Sequence, residues 1–180
     1  GAAGQVAYPL LPRLAKGDVF GHTTRIHLSL LDIPPAKLAL EGVKMELEDL
    51  AEPLVASVQT HTDAAQAFRA ADYVVFLGAF PRKEGMERRD VMEKNVGIFA
   101  AQGKALASAA KPTVKALVVG NPANTNAAIL SRAAPTLPLE SISALTRLDQ
   151  NRAQSLAARR LGVPADTVSD VIIWGNHSST

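Results

Sequence analysis

The chain has 180 residues, 47% of them hydrophobic, and carries 19 basic against 17 acidic side chains. That length suits one domain, or one domain plus part of another. A net charge of +2 without long same-sign blocks gives no sign of a nucleic-acid partner. Without cysteine there is neither a disulfide framework nor a thiolate zinc site, and no apolar run approaches the ~18 residues of a membrane span.

The opening, Gly1-Ala2-Ala3-Gly4-Gln5-Val6-Ala7, reads as a glycine-rich turn entering a helix. Such a turn cradles a pyrophosphate when a strand delivers the chain into it. No strand and no initiator methionine precede Gly1, so the expectation is a piece of a longer protein whose first strand lies outside this sequence. The helix that should follow contains Pro9 and Pro12. An interior proline removes a backbone donor and costs about 3 kcal/mol. That helix is therefore expected to be kinked or to start late.

Arg25 to Leu31 is apolar and partly β-branched, a strand ending at Asp32. Ala36 to Ala51 places Leu38, Val43, Leu47 and Leu50 at roughly helical spacing. Leu54 to Gln59 is a short strand candidate, and Tyr73 to Leu77 a second, closed by Gly78. Asp90 to Ala110 reads as a long helix stopped by Pro112; Lys115 to Val119 is a buried-strand run closed by Gly120-Asn121-Pro122. Asn124 to Ala133 is helical, Ile142 to Thr146 strand-like, and Leu148 to Leu161 helical up to Gly162. A last apolar run, Val171-Ile172-Ile173, reads as a strand leading to Trp174-Gly175-Asn176-His177. Short apolar strands separated by helices imply crossover connections. The expected architecture is α/β, a doubly wound parallel sheet of the Rossmann type.

Four stretches carry chemistry. The first is the opening turn taken with Asp32, 28 residues after Gly4 at the end of the next strand. A carboxylate there can accept from both adenosine ribose hydroxyls and would repel a 2′-phosphate, which favours NAD over NADP. Taken alone, Asp32 is equally a strand-terminal turn residue. The second is the polar loop from Ala79 to Asp90, with Arg82 and Arg88 six residues apart. Arginine forks match planar carboxylates, and two of them suit a dicarboxylate; a solvated charged loop is the plainer alternative. The third, Val118-Val119-Gly120-Asn121-Pro122-Ala123-Asn124-Thr125-Asn126, joins a buried strand to a helix. Asn121 there can donate and accept beside a substrate, although Asn-Pro is by itself simply a turn. In the fourth, Asp149 and Arg152 lie three apart on one helix face. Arg152 could grip a carboxylate while Asp149 orients His177.

These strings resemble the cytosolic-type malate dehydrogenases of the lactate/malate dehydrogenase superfamily. The loop motif of that family is close to PRREGMER where this chain has PRKEGMER, and VVGNPANTN at 118–126 is a specific match. Residues 145–153 match Leu-Thr-Arg-Leu-Asp-x-Asn-Arg-Ala, with Gln150 at the variable place, commonly histidine. Gly175-Asn176-His177-Ser178 matches the segment of the catalytic histidine.

The resemblance implies an NAD-binding domain over residues 1–146 and the beginning of a substrate domain over 147–180. It implies NAD contacts at Gly1, Ala2, Ala3, Gly4, Gln5, Val6, Ala7, Asp32, Asn95, Gln102, Val119, Gly120 and Asn121. Asn95 and Gln102 rest on it alone. It implies substrate contacts at Arg82, Arg88, Asn121 and Arg152, His177 and Asp149 as a proton-relay pair, a malate or oxaloacetate substrate, a cytoplasmic location and a homodimer. Two enzymatic rivals fit the residues less well. A lactate dehydrogenase would be expected to have an apolar residue where Arg82 stands, since its substrate lacks the second carboxylate. A short-chain dehydrogenase needs Tyr-x-x-x-Lys, and Tyr8 and Tyr73 are followed four residues on by Pro12 and Leu77. A fragment without turnover is the remaining alternative.

Overall fold

The computed structural model describes residues 1–80 and 84–174. Strands β1 (Ile26–Leu31) and β2 (Val55–His61) form one parallel pair, and β3 (Tyr73–Phe76), β4 (Lys115–Val118) and β5 (Ile142–Ala144) form a parallel sheet in that order. Parallel neighbours need crossovers. Helix α2 (Lys37–Asp49) links β1 to β2, helix α4 (Arg88–Ala109) links β3 to β4, and helix α5 (Ala123–Ala133) links β4 to β5. The expected α/β parallel architecture is thus present. Among the described residues β1 and β3 are not paired with each other. Between their C-terminal ends lie Gly1 and Ala2, whose nitrogens donate to the Leu31 carbonyl at 2.9 and 3.0 Å, with Gly1 packed against Gly78.

Helix α1 (Ala7–Ala15) starts late, as one expectation held. The Gly4 carbonyl accepts from the N–H groups of both Ala7 and Tyr8. Pro9 therefore falls in the first turn, where a missing donor has no intrahelical partner to lose. Pro12 is inside the helix and gives nothing to the Tyr8 carbonyl, and the helix stops one turn later. Its buried face, Ala7 and Leu11, meets Leu40, Val43 and Leu47 of α2 over Leu30 and Val58 of the first strand pair.

The larger core lies on the second sheet. Helix α4 buries Asn95, Phe99 and Leu106, at helical spacing. Phe99 packs on Phe76, and Phe76 on Phe68, with ring centroids 6.1 and 5.6 Å apart. Phe99, Leu106, Val118 and Leu130 are fully buried. Each such side chain contributes about 1.5–3 kcal/mol relative to exposure.

Two elements differ from expectation. A four-residue helix, α3 (Ala64–Ala67), precedes β3 and is capped by the Asp63 carboxylate, which accepts from the Gln66 N–H. It is too short to show periodicity. The apolar run Val171–Ile173 is not a strand. Ile172 is 68% and Trp174 87% exposed, so the run is not packed into a sheet as its composition suggested. Helix α6 (Arg147–Leu161) ends at Gly162, in the left-handed conformation at φ 69°. Among the described residues no helix is long and apolar enough to cross a membrane.

Candidate functional site

Three turns meet at the C-terminal edge of the strands. They are the opening Gly1–Ala7 turn, the residues after β3 (Leu77, Gly78, Ala79, Phe80) and the residues after β4 (Val119, Gly120, Asn121). Their backbones touch. A Cβ on Gly1 would stand 2.9 Å from the Gly78 backbone, and one on Gly120 would stand 2.8 Å from the Gly78 carbonyl oxygen. Only hydrogen fits at these contacts. The Phe76 carbonyl accepts from both the Val119 and Gly120 N–H groups, which fixes the third turn onto β3.

Asp32 closes this edge at the end of β1. One carboxylate oxygen accepts from the Ala3 N–H at 2.9 Å, the other from the Ile33 N–H at 2.8 Å. The side chain remains 13% exposed. A carboxylate oxygen has a second lone pair, so each can still accept a hydroxyl. The acidic group and the glycine turn are therefore one unit, joined by the Ala3 bond. Val6 precedes the first helical residue of α1, whose N-terminus brings a partial positive charge to the same place. Backbone cradle, helix end and carboxylate make a set that fits a dinucleotide.

Asn121 is exposed, and its peptide with Pro122 is cis. The turn is braced from below: the buried Asn126 amide donates to the Gly120 carbonyl at 2.9 Å, while the Asn126 side-chain oxygen has no partner. Asn95 is engaged within the protein at both polar ends. It is 1% exposed, its oxygen accepts from the Phe80 N–H at 2.8 Å, and its amide donates to the Val91 carbonyl at 3.0 Å. The oxygen thus holds the root of the loop after β3, and the amide is anchored on the preceding turn of α4 itself. Gln102, two turns along α4, is half-buried. The bracing roles of Asn95 and Asn126 escaped the sequence reading. The signal was present: each asparagine occupies a core position of its helix, where an apolar residue is usual.

Of the arginines, Arg82 lies outside the described residues. Arg88 opens α4, where Glu87 and Asp90 form a reciprocal capping box, and its side chain is likewise outside the description. The Leu145 N–H donates to the Val118 carbonyl at 2.9 Å, which carries the β4–β5 ladder to the foot of α6. The start of α6 therefore shares the sheet edge with the Asn121 turn. Asp149 is half-buried in its first turn, and Arg152 is exposed three residues on, on the same face as the spacing required. His177 lies outside the described residues.

Parallel strands with a glycine turn docked on a strand-terminal carboxylate define an α/β dinucleotide-binding domain of the Rossmann type. Residues 1–143 match the family model described as lactate/malate dehydrogenase, NAD binding domain, and residues 146–180 match the alpha/beta C-terminal domain of the same family. The chain belongs to the lactate/malate dehydrogenase family, and its first domain is NAD-binding. Over all 180 residues it is 55% identical to the cytoplasmic malate dehydrogenase of Gallus gallus and 54% identical to cytoplasmic malate dehydrogenase 1 of Arabidopsis thaliana, covering 54% of each. Among solved structures, malate dehydrogenase of Naegleria fowleri superposes with a TM-score of 0.90 at 48% identity, over 94% of this chain and 52% of that one. Lactate dehydrogenase of Trichomonas vaginalis in complex with NADH and oxamate gives 0.91 at 44% identity, over 98% of this chain and 53% of that one. The chain spans about half the length of these relatives.

Proposed function

We propose that this chain serves an NAD-dependent interconversion of malate and oxaloacetate, with residues 1–146 holding the cofactor and residues from 147 onward beginning the substrate domain. The observation that carries the cofactor side is the glycine turn bonded directly to Asp32 at the edge where the Asn121 turn and the foot of α6 also lie. Identity of 55% to a protein named malate dehydrogenase supports the reaction.

Each residue then has a physical task. Gly1 to Ala7 present backbone and a helix end to the pyrophosphate, and Asp32 accepts from the ribose hydroxyls. Val119, Gly120 and Asn121 line the nicotinamide side. Gln102 remains a cofactor contact by family resemblance, and so does Asn95, whose amide would have to leave its present bonds. When bound, NAD supplies the hydride chemistry. Arg152 binds the carboxylate beside the reacting carbon, Arg82 the distal one, and Arg88 closes over the substrate. Neutral His177 accepts the hydroxyl proton during oxidation and returns it during reduction, while Asp149 orients the ring and favours its charged form. The active form is a cytoplasmic homodimer in this reading, as in the family it resembles.

Lactate dehydrogenase activity is the second reading, favoured by the 44% identity to such an enzyme. Arg82 separates the two, because a pyruvate methyl group would leave it without a partner. The test is kcat/KM of the full-length protein with NADH, for oxaloacetate against pyruvate. Preference for oxaloacetate by powers of ten is expected, and preference for pyruvate would reject the malate assignment.

A further inference from the structure

We propose that Gln150, seconded by Gln154, is a positioning residue of the proton-relay pair: it ties the segment leading to position 177 against the helix that carries Asp149. The proposal rests on the assignment of Asp149 and His177 made above. The two glutamines lie four apart on α6 and so share a face. Gln150 donates its side-chain amide to the Val171 carbonyl at 2.7 Å. Gln154 donates to the carbonyls of Ala165 and Val168, each at 2.7 Å. The accepting carbonyls recur every third residue along the returning segment.

Little else described holds that segment near its end. It forms no strand among the described residues, and Ile172, Ile173 and Trp174 are exposed. Asp170 adopts φ 58°, in the left-handed region that aspartate enters more readily than most residues. Asp170 stands immediately before the carbonyl that Gln150 grips. Gln150 neighbours Asp149 in sequence, and Val171 stands six residues before His177. One side chain thus links the helix that carries Asp149 to the segment that leads toward position 177. A catalytic base and its orienting carboxylate need hydrogen-bond reach, and small displacements of their support are felt in rate. An amide suits the task because it donates without carrying charge. A carboxylate at position 150 would present only acceptors to a carbonyl oxygen.

The test uses the full-length protein with Gln150→Met, Gln150→Glu and Gln150→His. Methionine keeps length and loses the donor, glutamate reverses the polarity, and histidine restores an N–H of similar reach. A fall in kcat for oxaloacetate reduction of about tenfold or more is expected for the Met and Glu variants, equal to ~1.4 kcal/mol of lost transition-state stabilisation. Histidine should stay within roughly threefold of wild type, and NADH affinity within roughly twofold throughout. Independently of turnover, amide hydrogen exchange at residues 169–174 should quicken in Gln150→Met. Unchanged kcat and exchange in that variant would overturn the proposal. So would equal loss in the histidine variant, or a parallel fall in NADH affinity, either of which marks a general structural role. Should the wild-type protein reduce neither oxaloacetate nor pyruvate, the functional assignment fails, and the exchange comparison alone decides whether the tie exists.

Discussion

Asp32 connects to the protein through two backbone donors, Ala3 and Ile33, and this makes it structural and functional at once. Hydrogen bonds to a charged group contribute about 1.5–3 kcal/mol. Asp32→Ser is expected to weaken NADH binding through both the lost ribose contact and a loosened turn, and to narrow the gap between NADH and NADPH by removing a like charge. Fluorescence titration with both cofactors checks this, and a wild-type preference for NADPH would remove Asp32 from the ribose. At Arg82, substitution by leucine should lower kcat/KM for oxaloacetate by several powers of ten while pyruvate reduction is retained or improved. Each ~1.4 kcal/mol of lost transition-state binding is tenfold. An unchanged oxaloacetate/pyruvate ratio would sink that role. Residues of this kind were legible because their chemistry is set by spacing: Asp32 follows the turn by a fixed interval, and Asp149 and Arg152 share a helix face. The bond that Asn95 accepts from Phe80 was not legible, because it depends on how a loop folds back on a helix, which linear spacing does not encode.

The helices and strands followed hydrophobic period closely where the run was long. The β1, β3, β4 and β5 segments fall within the expected runs, β2 extends two residues beyond its run, and α2 and α6 lie within a residue or two of expectation. Failures came where period had nothing to say. Helix α3 has four residues and is announced only by its Asp63 cap. Val171–Ile173 has strand composition without a strand neighbour among the described residues, and pairing is a property of the partner as much as of the segment. The Pro9–Pro12 conflict resolved through where α1 begins, a question of one turn. Packing between elements was equally invisible. Gly103 on α4 faces α5 so closely that a Cβ would stand 2.6 Å from the Ala133 Cβ and 2.9 Å from the Leu130 carbonyl. Gly103→Ala must therefore push two well-packed helices apart, against a gain of helix propensity of about 1 kcal/mol for leaving glycine. Overpacking typically costs about 1–3 kcal/mol, so a net loss is expected, read as a lower denaturant midpoint. A rise in the midpoint would show that the helices separate freely.

At the scale of the molecule, two parallel sheets stand side by side without a shared hydrogen-bond ladder among the described residues, with β1 and β3 each offering an unpaired edge. Backbone donors and acceptors on such edges are satisfied by water or by another chain. The 180-residue polypeptide expressed alone is therefore expected to self-associate, to unfold with weak cooperativity and to show no turnover with NADH and oxaloacetate. Size-exclusion chromatography, denaturant titration and the coupled assay check this. A monomer with one sharp transition and activity near that of a full-length relative would refute it. The contact of Gly1, Gly78 and Gly120 has a further meaning when read as history. At Gly1 and Gly120 a methyl group would collide with the backbone of Gly78, which has no side chain to yield, and at Gly78 it would press on Gly1 at 3.3 Å. A chain wandering through sequence space cannot step off glycine at Gly1 or Gly120 and recover by adjusting a neighbouring side chain, because the obstacle is main chain, which every amino acid shares. The floor of the site is thus closed to gradual drift, and novelty in substrate or cofactor has to arise in the side chains standing above it.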